Sequence, residues 1–121
     1  VVICEGEVLG KPVDEADAIR MLKMLSGKTH HVVTGVTLGR GCRYSSFSAT
    51  TAVTFRELSD QEIKAYVKSG EPMDKAGAYG IQGLGALLVE KIDGDFYNVV
   101  GLPVSRLAEE LHEFLKKVQS K

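Results

Sequence analysis

Apolar positions along the chain change their spacing several times, and each change marks an element. Val1 to Cys4 is an unbroken apolar run that reads as a buried strand, and Glu5-Gly6 turns it into Glu7-Val8-Leu9. Gly10-Lys11-Pro12 ends that pair. Asp14 stands where a helix cap is needed, ahead of Glu15 to Leu25, in which Ala18, Met21, Leu22 and Leu25 share one face. Ser26-Gly27 stops this helix, since glycine takes the left-handed conformation that ends a helix. His31 to Leu38 and Ser48 to Leu58 are rich in Val and Thr, and Gly39-Arg40-Gly41 between them predicts a hairpin. Ser59-Asp60-Gln61-Glu62 is a capping box for a helix with Ile63, Tyr66 and Val67 on one face, closed by Ser69-Gly70. Glu71 to Gly85 is irregular and glycine-rich. Ala86 to Ile92, the turn Asp93-Gly94 and Phe96 to Val100 predict a second hairpin. Pro103 opens a last helix whose Leu107, Leu111, Phe114, Leu115 and Val118 recur at helical spacing. Lys116, Lys117 and Lys121 suit the negative end of its dipole.

Hairpins among helices predict an α/β unit with a mixed or antiparallel sheet and exclude a doubly wound parallel one. At 121 residues the chain is one domain, residues 1–121, with no repeat or linker to divide it. A chain of this length buries roughly two thirds of its unfolded surface, enough for a real core. Composition adds exclusions. A net charge of −1 with 26% charged residues argues against a dedicated nucleic-acid module, yet leaves room for a small anionic ligand. No apolar run approaches the ~20 residues that span a bilayer, and no signal-peptide pattern opens the chain. The expectation is a cytoplasmic protein, with Cys4 and Cys42 as free buried thiols. A chain that starts in the middle of an apolar strand, with no turn or cap before it, also suggests a truncated product or part of a longer chain.

Few residues stand out as chemistry. Pro12 biases Lys11 toward an extended backbone and Gly10 leaves space for a ligand, so Lys11 is either a point charge for phosphate or a solvated turn lysine. From Asp74 to Gly85 the glycines let backbone approach a bound group, and they embed one amide, Gln82. Its side-by-side donor and acceptor match a nucleobase edge, or simply pair with backbone. The order Gly80-x-x-Gly83-x-Gly85 is not a dinucleotide fingerprint, and no strand-then-helix context surrounds it. His30 and His31, adjacent on a strand, point to opposite faces and cannot share a metal, and His112 lies on the last helix. These three are read as structural or exposed. Arg40 and Arg43 read as a solvated hairpin tip, and Asp93 and Asp95 as turn residues. No Ser/His/Asp or Cys/His arrangement is compelling.

Several blocks, in order, resemble one family. They are Gly6-Glu7-Val8-Leu9-Gly10-Lys11-Pro12, Leu25-Ser26-Gly27-Lys28-Thr29-His30, Thr34-Gly35-Val36 and Phe55-Arg56-Glu57-Leu58-Ser59. Gly70 to Gly77 (GEPMDKAG), Gly80-Ile81-Gln82-Gly83 and Asn98-Val99-Val100-Gly101-Leu102-Pro103 follow. The pattern resembles the Maf family of nucleoside triphosphate pyrophosphatases over nearly the whole chain, the stretch from Leu38 to Ser48 excepted. The resemblance implies a twisted mixed sheet flanked by helices, related to the inosine triphosphate pyrophosphatase fold, in a homodimer. It implies hydrolysis of a nucleoside triphosphate to monophosphate and pyrophosphate with a divalent metal, Mg²⁺ or Mn²⁺. Lys11 would contact phosphates and Gln82 would select the base, the Gly-Ile-Gln-Gly block resembling the dTTP/UTP branch. The family's Ser-x-Ser-Pro-Arg-Arg loop is not in this sequence, and its catalytic, metal-binding Asp would precede Val1. On that pattern the 121 residues alone should show little or no activity. A non-catalytic nucleotide-binding or cell-division regulatory protein is the alternative.

Overall fold

Two left-handed residues, Glu5 and Gly6 (φ 50° and 79°), fold the apolar opening back on itself. The result is β1 (Val2–Cys4) paired antiparallel with β2 (Glu7–Leu9). The computed structural model describes residues 1–119. Asp14 caps α1 (Glu15–Leu25) as expected, its side chain accepting from the Asp17 amide. A long hairpin follows, β3 (Thr29–Arg40) against β4 (Arg43–Phe55), with partners running from Thr29–Thr54 to Arg40–Arg43. The Ser59 capping box forms with both of its hydrogen bonds and opens α2 (Asp60–Lys68). Three short 3₁₀ turns, Glu71–Asp74, Ala76–Ala78 and Gly83–Leu88, carry the glycine-rich stretch. Then come β5 (Val89–Asp93), α3 (Phe96–Val100) and α4 (Val104–Gln119).

The strands make one sheet in the order β2-β1-β3-β4-β5, and every pairing among the described residues is antiparallel. Alternation decides its two faces. Val2, Cys4, His30, Val32, Thr51, Val53 and Phe55 are buried, while their neighbours Thr29, His31 and Thr50 are exposed. The apolar members of the buried face join Leu22 and Leu25 of α1 and Ile63 and Val67 of α2 in one core.

Several boundaries differ from the sequence expectation. Phe96 to Val100 is a helix, not the return strand of a hairpin. The Asp95 carboxylate accepts from the amides of Tyr97 (2.8 Å) and Asn98 (3.4 Å), an N-cap that outweighs the strand propensity of Phe, Tyr and Val. Ala86 to Leu88 belongs to a 3₁₀ turn, and the strand begins at Val89. The long hairpin turns through Gly41-Cys42, so the second strand begins at Arg43 and ends at Phe55. Cys42 is therefore exposed, and only Cys4 is a buried thiol. The last helix forms as expected, but Leu111 and Leu115 are exposed and Phe114 is its buried residue. Arg43 donates to the Lys117 carbonyl (2.9 Å), tying the hairpin tip to this helix. Lys121 lies outside the described residues.

Candidate functional site

Between the β1–β3 edge, the glycine-rich stretch and α3 lies a cleft of about 560 Å³. Val1 and Val2, the run Val32 to Gly35, the run Lys75–Ala76 and Tyr79 to Gln82, and Asn98 to Gly101 line it. Its size is within the range of small-molecule sites. Lys75 is the charged side chain of the lining, and its ion-pair partner is Asp74.

The rim opposite the sheet is built by close backbone packing. Gly77 (φ 75°) lies against Val2, where an added Cβ would come within 3.0 Å of a valine methyl. Its amide donates to the Gly10 carbonyl (3.0 Å), fastening this stretch to the loop after β2. Ala78 is buried and left-handed (φ 64°), an uncommon state for a residue with a Cβ. Tyr79 points into the core, where its hydroxyl lies 2.6 Å from Nε2 of His30. Both rings and that of Phe55 meet edge to face. Burial, helped by the adjacent His31, pushes the His30 imidazole down to about 4, so it is neutral at ordinary pH.

Gln82 is exposed at the mouth of the cleft, and its side chain makes no hydrogen bond to another described residue. Lys11 is also exposed but does not line the cleft. It stands beside it, on the loop held by the Gly10–Gly77 hydrogen bond. Asp74 connects the two lysines. Its hydrogen bond from Lys75 (3.0 Å) foremost, and more weakly the charge of Lys11, hold its carboxyl below the usual value.

Three contributors were not evident in the sequence. Lys75 lines the cleft because its stem crosses Gly80, where a Cβ would sit 2.6 Å from Cε. Asn98 is fully buried in the wall. Its amide nitrogen reaches the carbonyls of Val32 and Ala49 (both 3.1 Å) and the Thr51 hydroxyl (3.0 Å), fastening α3 to the two central strands. The Asp95 cap was the signal that could have placed it. Glu71 is the third, and accepts from the Tyr66 hydroxyl (2.8 Å) and from the amides of Leu84 (3.1 Å) and Gly85 (3.0 Å). Desolvation raises its carboxyl, but these donors and the Lys75 charge outweigh that and leave it below the ordinary value.

His31 and His112 are exposed. Among the described residues no three of His, Cys, Asp or Glu converge to hold a metal ion. No helix among them is long and apolar enough to cross a membrane.

Residues 1–114 match the family described as Maf-like protein. A dTTP/UTP pyrophosphatase of Bacillus velezensis is 55% identical over 114 residues, covering 94% of this chain and 60% of the relative. One from Carboxydothermus hydrogenoformans is 60% identical over 116 residues, covering 94% and 62%. A Bacillus cereus protein of the same name is 54% identical, covering 94% and 60%. The chain thus spans about 60% of the length of the curated relatives it matches. With the match running from Val1 to Phe114, the chain belongs to the Maf family.

Proposed function

We propose that this chain forms the base-selecting and part of the phosphate-binding wall of an enzyme that hydrolyses dTTP or UTP to the monophosphate and pyrophosphate. The observation that carries the reading is the unengaged Gln82 amide at the mouth of a nucleotide-sized cleft. Its carbonyl can accept the imide N–H of uracil or thymine while its NH₂ donates to the neighbouring carbonyl. Cytosine presents a ring acceptor and an amino group there, which the amide matches only when turned over, so a site that holds the amide in one orientation discriminates between the two bases. Lys75 within the cleft and Lys11 beside it supply positive charge for the triphosphate. The likeness to proteins named dTTP/UTP pyrophosphatase supports the same nucleotides.

The cleft residues of this chain bind and orient; none of them is assigned the attack on phosphorus. The family resemblance also implies a divalent cation, for which no three of His, Cys, Asp or Glu converge among the described residues. The same resemblance is the support for a homodimer acting in the cytoplasm.

The test is pyrophosphate release over a panel of nucleotides with Mg²⁺ or Mn²⁺, from this chain and from one extended to the length of its relatives. Turnover of dTTP and UTP to monophosphate and pyrophosphate by the extended chain is expected, reduced about tenfold or more in Gln82→Glu. Selectivity unchanged by that substitution would remove Gln82 from base reading, and release of inorganic phosphate would exclude cleavage between the α and β phosphorus.

A further inference from the structure

Gln82 occupies the N-cap position of the 3₁₀ turn Gly83–Leu88. The amides that the short side chain of a Ser, Thr, Asp or Asn N-cap ordinarily takes lie two and three residues on. Those amides are Leu84 and Gly85, and both are already taken. Glu71, eleven residues earlier, accepts from Leu84 N at 3.1 Å through one oxygen and from Gly85 N at 3.0 Å through the other. The oxygen that takes Gly85 N also accepts the Tyr66 hydroxyl at 2.8 Å, and that hydroxyl accepts from Gly80 N at 3.1 Å. One network therefore grips the backbone on both sides of Gln82, two residues before it and two and three after it.

The local sequence is fitted to this grip. At Gly83 (φ 68°) an added Cβ would meet Glu71 Oε2 at 3.0 Å. At Gly85 it would fall 1.7 Å from the Gly80 carbonyl oxygen and 2.9 Å from the Tyr66 hydroxyl. Only glycine lets the chain close this tightly around the carboxylate. The anchor is firm as well. Tyr66 is a buried residue of α2, and Glu71 opens the 3₁₀ turn that follows that helix.

We infer that Glu71, with Tyr66, is a positioning residue for base selection. It caps the 3₁₀ turn that Gln82 opens and fixes the backbone on both sides of Gln82, so that the amide is presented to the nucleobase. The carboxylate touches no substrate; it acts through the backbone that carries Gln82. A charged acceptor suits the task, since it can take three donors where an amide oxygen faces two of them with an NH₂ beside it. This inference rests on Gln82 as the base reader, and its test separates the two.

The substitutions Glu71→Gln, Tyr66→Phe and Gln82→Ala, and the pair Glu71→Gln with Gln82→Ala, are made in a chain extended to the relatives' length. For each, kcat and KM are measured with UTP and with CTP, and thermal unfolding is followed in parallel. Glu71→Gln and Tyr66→Phe should each lower the UTP-over-CTP preference about tenfold, mainly through KM for UTP. In the Gln82→Ala background Glu71→Gln should lower that preference no further, because the cycle removes the residue it acts through. A merely structural Glu71 would lower the melting temperature and reduce both nucleotides alike, which overturns the inference. Preference lost in Gln82→Ala but kept in both Glu71→Gln and Tyr66→Phe also overturns it, leaving the base reader intact. No preference in the unsubstituted protein, or none lost in Gln82→Ala, removes the base reader itself and the positioning role with it. If Glu71→Gln does not fold, Tyr66→Phe decides the same question through the Gly80 side of the grip.

Discussion

The two stretches that carry the candidate ligand contacts use glycine in opposite ways. Gly10, before Lys11, has no atom within 4 Å of where a Cβ would stand. Gly85, after Gln82, has a backbone carbonyl at 1.7 Å. The first glycine leaves a lysine in open water at the edge of the site, touching the rest through one backbone hydrogen bond, Gly77 to Gly10. The second lets two passes of backbone come into direct contact at Gly80 and Gly85. A lysine works as a point charge and tolerates imprecise placement, whereas an amide that must match donor to acceptor needs its backbone fixed. Difference in packing thus follows difference in chemistry.

The comparison breaks most directly at Gly85. Gly85→Ala forces the Gly80 carbonyl aside and with it the Tyr66 hydrogen bond, and should cost about 4 kcal/mol of stability. Urea unfolding of the variant checks this. A loss below about 1 kcal/mol would mean that the stretch yields easily and that its close packing positions nothing.

How much of this is legible in sequence follows the same division. Both helix starts, at Asp14 and Ser59, are legible because each cap is local, a side chain reaching amides within one turn. The alternation that sends His30 inward and His31 outward is legible for a similar reason, since it depends only on pleat. Lys11 and Gln82 stand out as types of side chain, but their surroundings do not. Glu71 reads in sequence as the start of an irregular stretch, because its partners lie five to fourteen residues away and two of them are bare amides. Asn98 is hidden by a false strand: Phe96 to Val100 has strand composition, and the Asp95 cap that decides for helix reads in sequence as part of a turn. The expected burial of Cys42 fails because β3 runs to Arg40, two residues past its predicted end at Leu38, and Cys42 falls in the turn.

A second test reaches the held stretch from beneath. In the folded state His30 stays neutral down to about 4, whereas in the unfolded chain it takes up a proton near its ordinary 6.5. Between those values the unfolded state binds more protons, so stability falls as pH falls from 6.5 towards 4 and this contribution is flat outside that window. The span corresponds to about 3 kcal/mol. Urea midpoints across that range should show the slope, and His30→Gln should lack it. A slope that persists in the variant would assign it elsewhere. The carboxylate of Glu62, held down to about 2 by the Arg56 guanidinium and the Ser59 amide, adds its own loss only below about 4.5.

A smaller effect is expected at the foot of the helix that anchors the grip. Ser59→Ala removes the side chain that accepts from Glu62 N at 3.1 Å, and should cost about 1 kcal/mol. Because α2 delivers Tyr66 from its interior, seven residues from that cap, the UTP-over-CTP preference should not change. Lost preference at this cost in stability would mean that Glu71 and Tyr66 affect selection through helix stability alone, and the double-mutant cycle would then need Ser59→Ala as its control.

The smallest effect on stability, and the sharpest contrast with Gly85, belongs to the open side. Gly10→Ala meets empty space, and Lys11→Ala removes an exposed side chain whose charge acts on Asp74. Each should change unfolding free energy by no more than about 0.5 kcal/mol. Yet Lys11→Ala should weaken nucleoside triphosphate binding about tenfold, and that loss should shrink as salt rises, because an exposed point charge is screened. The nucleoside, which has no phosphate, should bind the variant and the unsubstituted protein alike. Equal binding of triphosphate by both would leave Lys11 as a solvated turn lysine and transfer the phosphate contact to Lys75, whose stem lies across Gly80 inside the cleft.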